Sequence, residues 1–369
     1  MKKLLLLIVP LIVLSCQTKQ NYRYRPASNQ YAKGFELESG DKYDKITVFS
    51  PWKAGDTLAL YYLIREENTA TPSDGIRIKI PIKRLTTTSC TQIGFLSELG
   101  EIGSVSGVCN PYIVYNHDLQ EAVNAGAVAD VGDAMTPNVE LILRSAPDAV
   151  MVSTSAQGDA ATEKLLSLGA KVIFNNEWTE NDPLARAEWL RFTAAFFDKL
   201  PLADSIFQQE VEKYNNLKNI VATTNPKKKS IMSGNNFRGT WYVPAGNTYM
   251  GVLFRDADAK YFYEKDSSLF SIPLNIETVV RNFADADVWV GAAANSLDEL
   301  RTKDKKHTWF NAYRTKQVYN FYARTTAMGG NDFWETGVVH PALILQDIIN
   351  ILYPDILEDK ELYFAKQLE

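Results

Sequence analysis

Residues 177–226 read EWTENDPLARAEWLRFTAAFFDKLPLADSIFQQEVEKYNNLKNIVATTNP, and this stretch decides the fold. Asp182 followed by Pro183 indicates a helix start, because an aspartate can cap free backbone N–H groups and a proline at the first helical position has no hydrogen bond to lose. Apolar residues then recur every three or four positions, and the pattern is interrupted and restarts at Pro201. We therefore predict a helical segment over 178–223 that connects two lobes.

An internal repeat places one lobe on each side of this segment. NVELILRSAPDA at 138–149 recurs without a gap as NIETVVRNFADA at 275–286, an offset of 137 residues. Each copy predicts a helix with a glutamate in its first turn, followed by a buried strand. The interpretation is an α/β protein whose two lobes, 84–177 and 224–369, each hold a central sheet and are joined by one long rigid helix.

The segment before the first lobe has a different pattern. Between residues 32 and 83, apolar alternation such as Ile76, Ile78, Ile80 and Ile82 is separated by prolines and glycines. Period-two alternation between turn residues is typical of strands. We predict a β-rich N-terminal extension at 32–83, and the sequence offers no physical account of its role.

The N-terminus is typical of a secretory signal. Two lysines precede an apolar run from Leu4 to Leu14 that is too short to span a bilayer. Val13-Leu14-Ser15-Cys16 resembles a bacterial lipobox, which predicts a signal peptide at 1–15, lipidation of Cys16 and a polar tether at 16–31. The alternative is an ordinary signal peptide that is cut elsewhere. The lipidated chain would be held on a bacterial membrane surface in the periplasm.

Composition excludes several classes of function. The formal net charge of −5 gives no indication of nucleic-acid binding. The three histidines, His117, His307 and His340, form no metal-ligand pattern, and no HExxH, CxxC, Walker A or GxSxG motif occurs. Catalysis, a resident cofactor and a metal site are therefore not predicted. Cys90 and Cys109 lie in a compartment that permits disulfides, and their spacing leaves a bridge and two free thiols equally open.

Several segments together resemble a known family. These are Leu85 to Leu99, Val131 to Asp133 with 138–148, Trp178 with Pro183 to Trp189, and Trp334 through Pro354. In order and spacing they are similar to substrate-binding proteins of ABC importers, in the class whose lobes are joined by a single rigid helix. That class binds ferric siderophores, haem and cobalamin, and the sequence does not choose among these metal chelates. The resemblance implies a monomer that works with a membrane permease and its ATPase.

Ligand contacts are expected from loops between the lobes, where aromatic side chains suit planar ligands and arginines suit anionic chelates. For each aromatic candidate the alternative is plain core packing, and for each arginine a solvated surface position. The candidates are Tyr112, Trp178, Arg238, Trp241, Tyr242, Tyr249, Arg324 and Trp334.

The resemblance also implies that one glutamate from each lobe docks onto the permease. By position these residues are Glu140 and Glu277. The alternative is that each acid only stabilises the N-terminus of its helix. Two further functions remain open: a surface-anchored α/β enzyme, and a lipoprotein that relays ligand or senses it without its own permease.

Overall fold

The structure is a computed structural model that describes residues 25–154 and 158–369. The predicted signal peptide and the predicted lipidation site, Cys16, lie outside the described residues, as does most of the predicted tether. Among the residues described, no helix is both long enough and apolar enough to cross a membrane.

The N-terminal extension forms a four-stranded sheet in the order β1-β2-β3-β4. Its strands are β1 (Phe35–Ser39), β2 (Tyr43–Phe49), β3 (Thr57–Ile64) and β4 (Ile76–Lys79). The first three strands are antiparallel, and β4 runs parallel to β3. Alternate side chains such as Ile46 and Val48 are buried against the first lobe. The predicted β-rich extension is therefore confirmed, and it shares the hydrophobic core of that lobe.

The first lobe is built on a parallel sheet in the order β11-β10-β5-β6-β7. Its strands are β5 (Leu85–Thr87), β6 (Val105–Val108), β7 (Ala129–Asp130), β10 (Ala149–Val152) and β11 (Val172–Phe174), with a small hairpin β8 (Gly132–Asp133) and β9 (Thr136–Pro137). Its helices are α1 (Cys90–Glu98), α2 (His117–Asn124), α3 (Val139–Arg144) and α4 (Ala160–Ser167). The Tyr61 hydroxyl of β3 forms two hydrogen bonds with β11. It accepts from the Phe174 amide and donates to the Val172 carbonyl.

The connecting segment consists of two helices, α5 (Pro183–Ala195) and α6 (Leu200–Thr224). The Asp182 carboxylate caps α5 by accepting from the amides of Leu184 and Ala185, as predicted. The interruption falls just before Pro201, at Asp198, whose φ of 58° is left-handed. Helix α6 has 25 residues, a length of roughly 37 Å, and it passes from the first core into the second. Helix α6 therefore confirms the predicted long helix between the lobes, and α5 is a separate, shorter helix before it.

The second lobe repeats the parallel arrangement in the order β15-β12-β17-β18-β19, with β19 antiparallel at the edge. Its strands are β12 (Ser230–Ser233), β15 (Lys260–Tyr261), β17 (Val288–Val290), β18 (Val318–Asn320) and β19 (Lys366–Gln367), with a separate antiparallel sheet of β13 (Asn235–Phe237), β14 (Thr240–Val243) and β16 (Ile272–Leu274). Its helices are α7 (Tyr249–Asp256), α8 (Ile276–Phe283), α9 (Leu297–Lys303), α10 (Asn311–Arg314) and α12 (Pro341–Leu352). The short helix α11 (Thr336–Val339) instead packs into the core of the first lobe through Val338 and Val339.

The sequence repeat corresponds to a repeated helix–strand unit. Asn138 caps α3 and Asn275 caps α8, each through its side-chain oxygen. The helices are followed by the buried strands β10 and β17, each in the interior of its sheet. One unit lies in each lobe, as the repeat predicted.

The two cysteines are free thiols in this structure. Cys90 begins α1 and is partly buried, while Cys109 is buried just after β6. Burial raises the pKa of each thiol to about 12. Both sulfurs therefore stay protonated at neutral pH, which makes them poor nucleophiles.

The buried side chain of Glu335 links the two lobes. Glu335, from the segment that leads into α11, accepts hydrogen bonds from the backbone amides of Tyr115 and Asn116 in the first lobe. The backbones also approach closely, since a Cβ added at Gly94 would lie 2.2 Å from the Glu335 carbonyl oxygen. A side chain at Gly94 would force this contact to open, so α1 and the segment at Glu335 pack backbone against backbone.

His340 forms a second joint. Its Nε2 lies 3.2 Å from Glu98 of α1 and its Nδ1 lies 3.0 Å from Glu210 of α6. Burial works against the charged imidazole, but hydrogen bonds to the two carboxylates outweigh it and raise the pKa of His340 to about 9. The imidazolium thus links the first lobe, the connecting helix and the start of α12.

His340 gives the fold a testable pH dependence. Because its pKa rises from an ordinary value of 6.5 to about 9 on folding, its stabilising contribution is complete below pH 6.5 and is lost as the pH rises through 9. We expect wild type to lose about 3 kcal/mol of unfolding free energy relative to His340→Gln across this range, measured by urea unfolding at each pH. A constant difference between the two proteins from pH 6 to pH 9.5 would contradict this role.

Candidate ligand-binding cleft

A cleft of about 890 Å³ is lined by three parts of the chain. These are the N-terminal extension, the connecting segment from Trp178 to Arg186, and the second lobe, which contributes the loops around β14 and α7, residues 269–271 and the turn that ends at Trp334. Of the described residues of the first lobe, only Asn176 lines the cleft. The volume lies in the range that is typical of small-molecule binding pockets.

Four of the predicted contact residues line this cleft: Trp178, Tyr242, Tyr249 and Trp334. Trp334 ends the short turn Asp332–Trp334, and its side chain is 47% exposed. Tyr242 lies on β14 and is also half exposed. These aromatic side chains offer flat apolar surface to whatever enters, and their contact with ligand remains a prediction.

Tyr249 is the predicted residue with the most constrained position. It begins α7 at the base of the cleft, where burial raises the pKa of its hydroxyl. The Arg186 guanidinium carbon lies 4.4 Å from the centre of its ring, which is cation–π geometry. The ring is therefore held in place before any ligand binds.

The other four candidates lie elsewhere. Trp241 is 1% exposed, donates from Nε1 to the Ser233 carbonyl and packs against Trp289. Successive residues of a strand point to opposite faces, so the orientation that brings Tyr242 to the cleft turns Trp241 into the core. Burial of Trp241 matches the core-packing alternative.

The two predicted arginines and Tyr112 are also outside the residues that line the cleft. Arg238 occupies the β13–β14 turn with a left-handed φ of 52°, over the ring of Phe237. Arg324 forms an ion pair with Asp332 at 2.6 Å, so it supports the turn that carries Trp334. Tyr112 is exposed and accepts a hydrogen bond from its neighbour Asn110.

Sequence reasoning missed the positive charges of the cleft. Arg186, the fourth residue of α5, donates through Nη2 to the carbonyls of Trp178 and Glu180, which aligns its guanidinium with the cleft wall. Arg255 and Lys33 add exposed cations to the lining. The sequence offered one clue to Arg186. The predicted helix start at Asp182 places residue 186 at the end of the first turn, close in sequence to Trp178, which was already a predicted ligand contact.

The acidic side chains that line the cleft already accept hydrogen bonds from other groups of the protein. Glu180 accepts from the amides of Lys33 and Gly34 and from the indole of Trp189. Asp182 caps α5. Beneath them Glu177 is fully buried, and this desolvation raises the pKa of its carboxyl despite the nearby Arg186. The residues described therefore place no free acid–base pair in the cleft, whose remaining charged side chains are cationic.

No cluster of metal-ligating side chains occurs within 25–154 and 158–369. The three histidines all lie away from the cleft: His117 is exposed and pairs with Glu121, His307 is buried beside Trp289, and His340 joins the lobes. The arrangement can bind a ligand by aromatic packing and positive charge.

Residues 87–325 match the family model of the periplasmic binding proteins, which is more than half of the chain. The chain belongs to the periplasmic binding protein family. This assignment confirms the predicted resemblance, and it decides between a solute-binding protein and an enzyme in favour of the binding protein.

Individual relatives agree with this assignment. The uncharacterized lipoprotein MJ0878 of Methanocaldococcus jannaschii is 27% identical over 343 residues, covering 88% of this chain and 79% of the relative. The periplasmic heme binding protein of Pseudomonas aeruginosa has a TM-score of 0.60 at 12% identity, covering 78% of this chain and 98% of its own. A possible iron-binding protein of Staphylococcus epidermidis has a TM-score of 0.56 at 17% identity, covering 74% and 99%. These structures confirm the two-lobed α/β fold of this periplasmic binding protein.

Proposed function

We propose that this periplasmic binding protein is the lipid-anchored receptor of an ABC importer, capturing a metal chelate between its lobes and delivering it to the membrane permease. The observation that carries the proposal is the cleft itself, because four aromatic side chains and the cations Arg186 and Arg255 line one space between the connecting segment, the extension and the second lobe. Aromatic faces bind flat apolar surface, and guanidinium groups bind carboxylate or catecholate oxygens.

The position of the histidines makes haem the least favoured of the candidate ligands. None of the three lines the cleft, so a haem would find no imidazole there and would depend on a tyrosine of the lining, such as Tyr242, as its axial ligand. Ferric siderophores and corrinoids arrive with the metal already enclosed by their own donor atoms, and they require only packing and charge from the receptor. Iron and haem are named in the descriptions of the solved structures, which are distant in sequence. We favour a ferric siderophore or a corrinoid as cargo.

The anchor belongs to the same proposal. Cys16 would carry the lipid, and the polar residues after it would tether the lobes to the membrane. The related archaeal protein is described as a lipoprotein, which supports this location outside the cytoplasm. A receptor held at the membrane keeps its cargo close to the permease.

Ligand binding is tested by titrating residues 17–369 with ferric catecholate and hydroxamate siderophores, cyanocobalamin and haemin while following tryptophan fluorescence. We expect saturable quenching by one chelate at sub-micromolar concentration. Trp334→Ala should weaken that binding tenfold or more, because it removes an aromatic wall worth about 1.4 kcal/mol or more of contact. Trp309→Ala is the matched control, since Trp309 is similarly exposed but lies outside the cleft. Equal affinities for the two variants would place the ligand elsewhere.

A further inference from the structure

The N-terminal extension contributes a third wall to the cleft. Tyr31, Lys33 and the turn formed by residues 49–52 line it, opposite the loops of the second lobe. All of these residues precede position 87, where the match to the family model begins. The extension therefore adds surface to the site that the core of the family fold does not supply.

Two buried carboxylates hold this wall in place. Glu188 of α5 is fully buried and accepts hydrogen bonds from the backbone amides of Gln30, Tyr31 and Ala32. Glu180 accepts from the amides of Lys33 and Gly34, both at 2.8 Å. Five consecutive amides thus bind to side chains of the connecting segment. Buried carboxylates persist only with such partners, so the segment 30–34 has a defined position beside the cleft.

A backbone hydrogen bond holds the turn of residues 49–52 against the segment 30–34. The amide of Phe49 donates to the Gly34 carbonyl at 2.9 Å, and Ser50 Oγ accepts from the amides of Trp52 and Lys53. Gly34 itself cannot carry a side chain, because a Cβ there would lie 2.6 Å from the Trp189 ring. These contacts hold the turn and with it the backbone of Trp52.

Two side chains of the wall are free to meet a ligand. The Tyr31 ring already packs against Phe207, with ring centres 6.1 Å apart. By contrast, Trp52 is partly exposed and contacts no other aromatic ring among the described residues, and Lys33 is exposed and pairs with no carboxylate in that part of the chain. An indole and an ammonium group on one wall suit a ligand that carries a flat, unsaturated face and negative charge.

We propose that Trp52 and Lys33 form a specificity subsite of the cleft, which takes the aromatic, anionic part of the ligand. The inference rests on the proposed function for its cargo, but the subsite itself follows from the geometry of the extension. The match to the M. jannaschii lipoprotein covers 88% of this chain, more than residues 87–369 alone could supply, so that relative has counterparts for part of the extension.

The subsite is tested with 8-anilinonaphthalene-1-sulfonate, a planar aromatic anion, as a probe whose fluorescence rises on binding. Trp52→Ala and Lys33→Ala should each weaken its binding at least fivefold in the full soluble chain. Trp309→Ala and Lys42→Ala are the matched controls, since Trp309 is an exposed indole and Lys42 an exposed lysine in the extension, and both lie outside the cleft. Absence of saturable binding, or equal affinity for wild type and both test variants, would overturn the subsite.

The same variants separate this inference from the proposed function. If no metal chelate binds the wild type while the probe depends on Trp52 and Lys33, the proposed cargo is wrong and the subsite stands. If a chelate binds and neither variant weakens it or the probe, the receptor stands and the subsite is wrong. Unchanged melting temperatures for the variants would show that the fold is intact, because both side chains project from the surface of the wall.

Discussion

Glu188→Ala is expected to lower the free energy of unfolding by roughly 3–5 kcal/mol, the range for removing one partner of a buried ion pair. Arg191 is 2% exposed and lies 2.9 Å from Glu188, so the substitution leaves a buried guanidinium with less compensation. The amides of residues 30–32 lose their acceptor as well. Urea unfolding of the soluble chain, followed by circular dichroism, measures the change.

Glu212→Ala is the control for this prediction, because Glu212 lies exposed on α6. Its loss should stay within about 0.5 kcal/mol. Limited proteolysis offers a second readout, since release of residues 30–34 in the Glu188 variant would expose the segment to cleavage. A Glu188→Ala protein as stable and as resistant as the control would show that the extension is not held by α5.

Changing Glu140 and Glu277 together to alanine is expected to reduce chelate uptake by cells roughly a hundredfold while leaving ligand affinity unchanged. Both glutamates are exposed in the first turn of the equivalent helices α3 and α8. Each would pair with a basic residue of the permease, and two charge pairs at 1.5 kcal/mol or more give about this factor. Uptake of labelled chelate and fluorescence titration of the purified variant measure the two quantities.

A matched double variant separates docking from helix stabilisation. Glu163 and Asp298 also lie exposed in first helical turns, of α4 and α9, but outside the repeat. Their change to alanine should leave uptake intact. Normal uptake by the Glu140 and Glu277 variant, or loss of ligand binding in it, would count against docking.

The sequence predicted the parts of the fold that rest on local signals. The cap at Asp182 and the apolar period up to Val221 define the connecting helices, and the repeat at 138–149 and 275–286 locates one lobe on each side. These signals lie within a few residues of what they specify. The fold class followed from them, whereas the family and the binding role were implied by the resemblance of several segments, taken in order and spacing, to a known family.

The residues of the cleft were harder to predict from the sequence, because the cleft depends on contacts between distant segments. Nothing local distinguishes Trp241 from Tyr242, and the facing of β14 depends on its pairing with β16. The wall of the extension forms only when the amides of residues 30–34 meet carboxylates about 150 positions away. Arg186 by itself carries no local signal of a ligand site, because its spacing fits the connecting helix and only the fold brings it to the cleft.

Hydrogen exchange of the soluble chain with and without its chelate, resolved by peptide, tests the central claim most directly. A ligand held in this cleft should slow exchange at 31–34 and 49–52 of the extension, at 176–186 of the connecting segment, and at 242–250 and 330–336 of the second lobe. Protection is expected in all three parts of the chain at once, with none on the outer faces of α4 and α9. Protection confined to the second lobe, or none at saturating chelate, would contradict capture in this cleft.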